Sequence, residues 1–199
     1  MKLQKILVTG GAGFIGSHLT DMLIEKGYQV RILDNLDPQV HPDGVPSYLN
    51  PKAEFMKGDV TVRSDWEKAL DGIDAVFHYA AAVGVGQSMY EVEKYVKVNS
   101  YGTALLLDIL ANQKHNVKKI IVTSSMTTYG EGLYECTTHG VIQPQLRTEE
   151  QMAKKDWELR CPSCADILKP IPTHEEAQQR CNSIYAIGKK NQEEMVLIF

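Results

Sequence analysis

The sequence has little excess charge of either sign, few cysteines and no long apolar run. Its 21 Lys and Arg against 25 Asp and Glu give a formal net charge of −4, which favours neither a nucleic acid nor an anionic membrane as partner. No apolar run approaches the roughly 20 residues that span a bilayer. The run near the start is shorter than the roughly 7–15 residues of a secretory signal. We therefore predict a cytoplasmic protein in a reducing compartment, with no nucleic-acid or membrane partner.

The first two thirds of the chain alternate between strand-like and helix-like patterns. The 199 residues, 43% of them apolar, are enough for one substantial core. The segments KILVTG, YQVRILD, AEFMKGD, DAVFHYA and KKIIVTSS are typical of buried strands, and a long helical pattern runs from about 89 to 113. This alternation predicts parallel βαβ units, and hence an α/β fold with a Rossmann-like, doubly wound parallel sheet.

The periodicity breaks after Gly130. Residues 131–182 are polar, contain proline and hold all four cysteines, whereas helical character returns at 183–199. We therefore predict three segments: a dinucleotide-binding domain at 1–130, an insert at 131–182, and a helix at 183–199 that returns to the first domain.

Three glycines stand between the first strand and the first helix. In VTGGAGFIG, Gly10, Gly13 and Gly16 allow a tight turn, close approach to a pyrophosphate, and close packing of helix on strand. The amino end of the helix supplies free N–H groups for the phosphates. Asp34 follows Gly16 by 18 residues, close to the roughly 20 expected for a carboxylate on the adenosine ribose. Its charge would repel a 2′-phosphate, so we predict NAD rather than NADP.

Tyr185 and Lys189 are four residues apart in YAIGK. On a helix such a pair shares one face, and a neighbouring ammonium makes a phenol usable for proton transfer at neutral pH. The spacing alone is common and also fits a solvated helix pair. It gains weight because it follows a dinucleotide motif and the serine-rich strand end TSSMTTYG.

These motifs together resemble the extended short-chain dehydrogenases/reductases, in particular the NAD-dependent nucleotide-sugar epimerases and dehydratases. The resemblance covers nearly the whole chain. It is carried by TGGAGFIG, LDN, GDV, HYAA, VNSYGT, SSMTTYG and YAIGK.

The resemblance implies a set of site residues. Ser125, Tyr185 and Lys189 would be catalytic. The cofactor-binding residues would be Gly10, Gly13, Phe14, Ile15, Gly16, Asp34, Asn35, Asp59, Val60, Ala80, Ala81, Ala82, Asn99, Tyr185 and Lys189.

The activity implied by the resemblance is inversion of one sugar carbon, most often C4, in a dTDP- or UDP-sugar. Bound NAD would oxidise that carbon to a transient ketone and then reduce it from the opposite face. The dehydratase branch needs an Asp-Glu pair after the catalytic hydroxyl, and Met126 and Thr127 occupy those positions, so an epimerase is favoured. A reductase or decarboxylase of the same family, and an NAD-binding protein without activity, remain open. By analogy, residues 89–113 and 183–199 would form a homodimer.

The cysteines suggest a metal site. Cys136 and His139 are separated by two residues, as are Cys161 and Cys164, with 21 residues between the pairs. Two such ligand pairs, called knuckles here, are typical of a closed structural zinc site. Unligated thiols and a redox couple are the alternatives. A redox pair should open a helix directly after a strand, and RCPSCADILKP does not have that pattern.

The insert is similar to that of the dTDP-L-rhamnose 4-epimerase type, where the first knuckle has two cysteines. His139 replaces one of them here, and Gly188 precedes the lysine where many relatives carry Ser. Members of the family end in a further substrate lobe. We therefore expect the 199 residues to be a truncated chain in which that lobe is largely missing.

Overall fold

A five-stranded parallel sheet organises the larger part of the molecule. A computed structural model describes residues 4–199, and the strands lie in the order β3-β2-β1-β4-β5. They are β1 (Lys5–Thr9), β2 (Gln29–Asp34), β3 (Glu54–Lys57), β4 (Ala75–His78) and β5 (Lys119–Val122). This topology confirms the predicted Rossmann-like α/β fold.

The connections between these strands are helical. They comprise α1 (Phe14–Glu25), α2 (Arg63–Ala69), a 3₁₀ turn (Gln87–Met89), α3 (Val92–Tyr95), a π-helical segment (Val96–Tyr101) and α4 (Gly102–Asn112). The single helix predicted over 89–113 is therefore interrupted. Single π-helical turns inside α-helices often occur at functional sites, and this one contains Asn99.

Apolar side chains cover both faces of the sheet, because successive residues of a strand point to opposite sides. On one face Leu7 and Val76 pack with Trp66 of α2 and Leu106 of α4. On the other face Ile6, Val8 and Ala75 pack with Leu23 of α1. Helices on both faces explain why the strands read as nearly continuous apolar runs.

The direction of the strand order reverses at β1. Thr9 pairs with Leu33 of β2 on one side and with His78 of β4 on the other. In open parallel sheets a crevice forms at such a point, beyond the carboxyl ends of the strands. The glycine loop follows β1 directly at this edge.

The chain forms two compact units, one comprising residues up to Ser124 with Ser183–Phe199, and one comprising Ser125–Asn182. The second unit contains β6 (Tyr134–Cys136), β7 (Gly140–Ile142), α5 (Glu149–Ala153) and β8 (Lys169–Pro170). Its strands form an antiparallel sheet in the order β7-β6-β8. A small core of Cys136, Leu159, Cys161 and Leu168 lies within the unit.

The last helix, α6 (Ile184–Ile198), returns to the first unit. Its start is set by Ser183, whose hydroxyl accepts a hydrogen bond from the Ala186 N–H at 3.1 Å. The helix packs against the π-helical segment and α4. Among residues 4–199, none of the helices combines the length and apolar character needed to cross a membrane.

Candidate cofactor and catalytic site

The glycine loop is shaped so that side chains cannot fill it. Gly10 has φ +68°, and a Cβ there would lie 2.8 Å from the Ala80 nitrogen. A Cβ on Gly16 would lie 2.2 Å from the Gly10 oxygen. Helix α1 begins at Phe14 after Gly13, and no side chain caps it. Its first N–H groups are therefore available to an anion such as a pyrophosphate.

Asp34 ends β2 beside this loop and is 8% exposed. Its Oδ2 accepts from the Ala12 N–H at 3.0 Å, and its Oδ1 accepts from the Leu36 N–H at 2.9 Å. The carboxylate is thus fixed against the turn. The carbonyl of Ala12 accepts from the Tyr48 hydroxyl at 2.8 Å. Tyr48 was not identified from the sequence, because it lies in a loop without a motif.

The next two predicted cofactor positions are also joined. Asn35 Nδ2 donates to Asp59 Oδ2 at 3.1 Å, and the Thr61 N–H donates to Asp59 Oδ1 at 2.8 Å. Burial raises the pKa of Asp59, but the hydrogen bonds from Thr61 and Asn35 outweigh burial, so the pKa lies below its ordinary value. Val60 is buried, and its carbonyl accepts from the Trp66 indole at 2.7 Å.

The chain after β4 is held by Asn99. The Asn99 side chain is fully buried; its Oδ1 accepts from the Ala82 N–H at 2.8 Å and its Nδ2 donates to the Ala82 carbonyl at 3.1 Å. Ala80, Ala81 and Ala82 are half-buried. A backbone held in this way by a side-chain amide can present a rigid surface to a bound ring.

The helix α6 carries both Tyr185 and Lys189. Lys189 is 3% exposed, and its Nζ donates to Gln192 Oε1 at 2.7 Å and to Thr123 Oγ1 at 3.5 Å. Burial lowers the pKa of the Lys189 ammonium to about 8. The ring of Tyr185 makes an edge contact with Tyr95 at 6.4 Å between centroids.

Close packing joins α6 to the π-helical segment that carries Asn99. A Cβ on Gly188 would lie 3.2 Å from the Cβ of Asn99, so the residue before Lys189 must be small. The Tyr185 N–H donates to Ser88 Oγ at 3.0 Å. The structure therefore brings Lys189, Asn99 and Ala82 into one connected set of contacts.

Ser125 begins the second unit. It caps the 3₁₀ helix Met126–Tyr129, where its hydroxyl lies 2.8 Å from Thr127 Oγ1 and accepts from the Thr127 N–H at 3.3 Å. The Ser125 and Thr127 hydroxyls therefore hold each other in place. Met126 is 84% exposed.

The two predicted knuckles meet within the second unit. One ligand atom from each of Cys136, His139, Cys161 and Cys164 lies within 4.8 Å of the others. His139 follows β6 in the hairpin turn that leads to β7, and the Cys161 carbonyl accepts from the Ala165 N–H at 2.8 Å in the second knuckle. Sulfur–nitrogen distances are 3.6 Å for Cys136 and 3.4 Å for Cys161, and Cys136 and Cys164 have sulfurs 3.6 Å apart.

These separations match the edges of a zinc tetrahedron. Bonds of about 2.3 Å to sulfur and about 2.0–2.1 Å to nitrogen give about 3.8 Å between sulfurs and about 3.6 Å between sulfur and nitrogen. A disulfide would need about 2.05 Å, and Cys136, Cys161 and Cys164 are free thiols. Burial raises the pKa of Cys136, but hydrogen bonds from His139 and Thr138 outweigh it and lower the pKa to about 6. A thiolate is the form that binds metal.

Comparison with known proteins identifies the family of the chain. The sequence model of the NAD dependent epimerase/dehydratase family matches residues 6–150. The chain belongs to this family. It is 34% identical over 200 residues to the dTDP-L-rhamnose 4-epimerase of Burkholderia thailandensis, covering 97% of this chain and 53% of that protein.

Two solved structures of UDP-glucose 4-epimerases are similar to this family member over 98% of its length. The Thermotoga maritima enzyme, solved with UDP-glucose, has a TM-score of 0.70 and 30% identity, and 50% of it is covered. The Brucella ovis enzyme, solved in complex with NAD, has a TM-score of 0.69 and 27% identity, and 47% of it is covered. The chain thus spans about half the length of the relatives it matches.

Two groups near the epimerase/dehydratase motifs, the half-buried Thr123 and the buried Gln192, could not be identified from the sequence. Thr123 and Gln192 both contact Lys189. Thr123 is the first residue of the strand-end motif TSSMTTYG, in which the motif draws attention to the serines. Gln192 stands among polar residues and gave no signal of burial.

Proposed function

We propose that the protein is an NAD-dependent epimerase that inverts a carbon, C4, of a nucleotide-activated sugar. Family membership and the names of its relatives support this activity. The observation that carries the proposal is the buried ammonium of Lys189, four residues after Tyr185, on a helix packed against the Asn99–Ala82 edge. A buried charge beside a glycine-lined crevice is typical of a catalytic position.

The residues present fit NAD. A Cβ on Gly10 or Gly16 would collide with backbone atoms, so this tight turn next to the free amino end of α1 requires glycine, and Asp34 would accept from a ribose hydroxyl. Its negative charge disfavours NADP. Asp59 and Val60 would flank the adenine, and Ala80, Ala81 and Ala82 would line the cofactor. Asn35 and Asn99 are the further cofactor-binding residues that the family resemblance implies.

The chain's own residues would handle the proton. When bound, NAD would supply the hydride acceptor and donor for the sugar carbon. Tyr185 takes the proton from the sugar hydroxyl and gives it back, and Lys189 supplies positive charge beside it and holds the cofactor ribose. Ser125 as a second hydroxyl on the same oxygen stays a prediction of the family resemblance.

The activity is tested with the full-length protein and a panel of dTDP- and UDP-sugars. We expect the C4 epimer to form without added reductant, and Tyr185→Phe to abolish turnover while NAD still binds. Tyr28→Phe, one residue before β2, is the matched control. An NAD-loaded protein that converts none of the sugars would refute the proposal, and a reduced or dehydrated product would favour the reductase or dehydratase alternative.

The preference for NAD has a separate test. We expect NAD⁺ to bind more tightly than NADP⁺, and Asp34→Asn to narrow that difference, because the variant lacks the charge but keeps an oxygen acceptor. Calorimetric titration of both dinucleotides measures the ratio. Equal binding of the two by the unaltered protein would contradict the assignment of Asp34.

We also propose that Cys136, His139, Cys161 and Cys164 bind a structural zinc ion. Four ligands close the site, so the metal would stabilise the insert and would not act on substrate. Elemental analysis of protein purified without chelator should give one zinc per chain, and Cys161→Ser should lose it. Four titratable thiols and no metal would favour the free-thiol alternative.

The homodimer through residues 89–113 and 183–199 and the cytoplasmic location stay predictions. Light scattering on the full-length protein tests the first, and fractionation of source cells tests the second.

A further inference from the structure

A chain of buried polar groups crosses the core of the first unit behind Lys189. Gln192 of α6, Thr103 of α4, His78 of β4 and Thr9 of β1 are all 0% exposed. Lys189 Nζ lies 2.7 Å from Gln192 Oε1, Gln192 Nε2 lies 2.8 Å from Thr103 Oγ1, and His78 lies 3.0 Å from Thr103 and 2.8 Å from Thr9.

The hydrogen-bond directions in this chain are determined from the ammonium outward. An ammonium only donates, so Gln192 must turn its oxygen to Lys189 and its amide N–H to Thr103. The hydroxyl of Thr103 donates to the Asn99 carbonyl at 2.8 Å. It can then only accept from His78 Nε2, which fixes the tautomer of that imidazole.

The polar groups at the Thr9 end of this series also have hydrogen-bond partners. With its proton on Nε2, His78 accepts at Nδ1 from the Thr9 hydroxyl, and Thr9 Oγ1 accepts from the Ala80 N–H at 3.1 Å. Burial, followed by the charge of Lys189, lowers the pKa of His78 to about 3, so the ring stays neutral. This series of hydrogen bonds thus links Lys189 to the backbone of Ala80, which follows β4.

A fully buried glutamine requires an explanation. An apolar side chain of similar volume would fill the space without the desolvation cost of an amide. The amide is compensated only because Lys189 and Thr103 bind its two ends. A satisfied buried network of this kind restricts each member to one orientation.

We propose that Gln192 is a positioning residue that holds the Lys189 ammonium in place for hydride and proton transfer, with Thr103 and His78 fixing the orientation of the Gln192 amide. This inference rests on the proposed function, because Lys189 matters to catalysis only if that function holds. Gln192 itself contacts neither substrate nor cofactor in this role; it acts through Lys189.

Two variants of Gln192 separate its contributions. Gln192→Leu removes both polar ends at similar volume, while Gln192→Glu keeps an oxygen for Lys189 and removes the amide donor to Thr103. For the full-length enzyme we expect Gln192→Leu to lower kcat by about 10- to 100-fold with KM little changed, as for a misplaced catalytic group. We expect Gln192→Glu to recover part of this loss. Gln113→Leu, at a surface glutamine that contacts Glu67, should have no effect.

A second readout does not depend on turnover. The ¹³Cε resonance of Lys189, assigned with Lys189→Arg in lysine-labelled protein, reports the protonation of the ammonium. Its titration midpoint should fall in Gln192→Leu, because a hydrogen bond to the charged form is lost, and should rise in Gln192→Glu.

The outcomes are distinct. If neither kcat nor the titration midpoint changes in Gln192→Glu, which has the size of the original residue, the positioning role is wrong. If the unaltered enzyme epimerises no sugar but the midpoints move as expected, the proposed function fails while the hold of Gln192 on Lys189 stands. If KM changes and kcat does not, Gln192 contributes to binding and the positioning role is again wrong.

Discussion

Replacing Lys189 with Met tests how strongly burial of the ammonium destabilises the folded protein. Burial lowers the pKa of Lys189 from 10.5 to about 8, which corresponds to about 3 kcal/mol at neutral pH. Met has similar length and no charge. Removal of the ammonium also leaves Gln192 Oε1 without its 2.7 Å donor, at a cost of about 1–3 kcal/mol. We therefore expect Lys189→Met to be inactive, yet as stable as the unaltered protein or up to about 2 kcal/mol more stable at pH 7.

The pH dependence of unfolding gives the sharper measurement. Because the folded pKa lies below the unfolded one, the penalty is fully present below about pH 8 and disappears as the pH rises towards 10.5. Urea denaturation at pH 7 and 9.5 should show the unaltered protein gaining about 2 kcal/mol relative to Lys189→Met. Groups that titrate in both proteins contribute equally, so they drop out of the difference between the two free energies of unfolding. Parallel stability curves, or a gain in the variant instead, would refute the assignment of a buried, charged Lys189.

Three further predictions concern other parts of the structure. Because the pKa of His78 is lowered to about 3, the neutral ring leaves stability intact above about pH 6.5, and stability is lost as the pH falls below that value. Urea denaturation at pH 7 and 5 should show the free energy of unfolding of the unaltered protein falling by about 2 kcal/mol more than that of His78→Gln. Gly16→Ala places a Cβ 2.2 Å from an oxygen of the loop and should lower the free energy of unfolding by about 1–3 kcal/mol and weaken NAD binding, measured by urea denaturation and calorimetric titration. Gly13→Ala, with its Cβ at 3.4 Å, should keep the unaltered stability in the same denaturation experiment. Zinc removal by a strong chelator should lower the thermal midpoint by roughly 2–4 °C for each kcal/mol lost, measured by calorimetry; Cys181→Ser should respond as the unaltered protein does, and an unchanged midpoint would contradict a structural metal.

The parts of the site that could be predicted from the sequence each depend on one local unit. The glycine loop and Asp34 belong to a single βαβ unit, in which each position requires a particular residue type. The knuckles of Cys136 and Cys161 could be recognised because ligand spacing is imposed by the metal geometry. For such features, neighbours along the chain are sufficient evidence.

The parts that could not be predicted depend on contacts between distant segments. Gln192 lies among Lys, Asn and Glu residues and has the pattern of an exposed helix face; its burial results from packing of α6 against α4, where it meets Thr103. The strands of the second unit have three residues or fewer, so an alternation of period two has no room to appear. Tyr48 reaches the glycine loop from 36 positions away.

The π-helical segment Val96–Tyr101 determines which way its own side chains face within one long helical stretch. An α-helix advances about 100° per residue, and a π-turn accommodates one extra residue without lengthening the rod by a full step. Shortening this segment by one residue would restore an even winding, leave the helices on either side facing as they do, and redirect the side chains within the segment. Asn99 would then swing away from Ala82 while Leu105 and Leu106 stayed in the core. Deletion of one residue here would therefore leave the sheet folded but would remove the two hydrogen bonds that hold the backbone at Ala82.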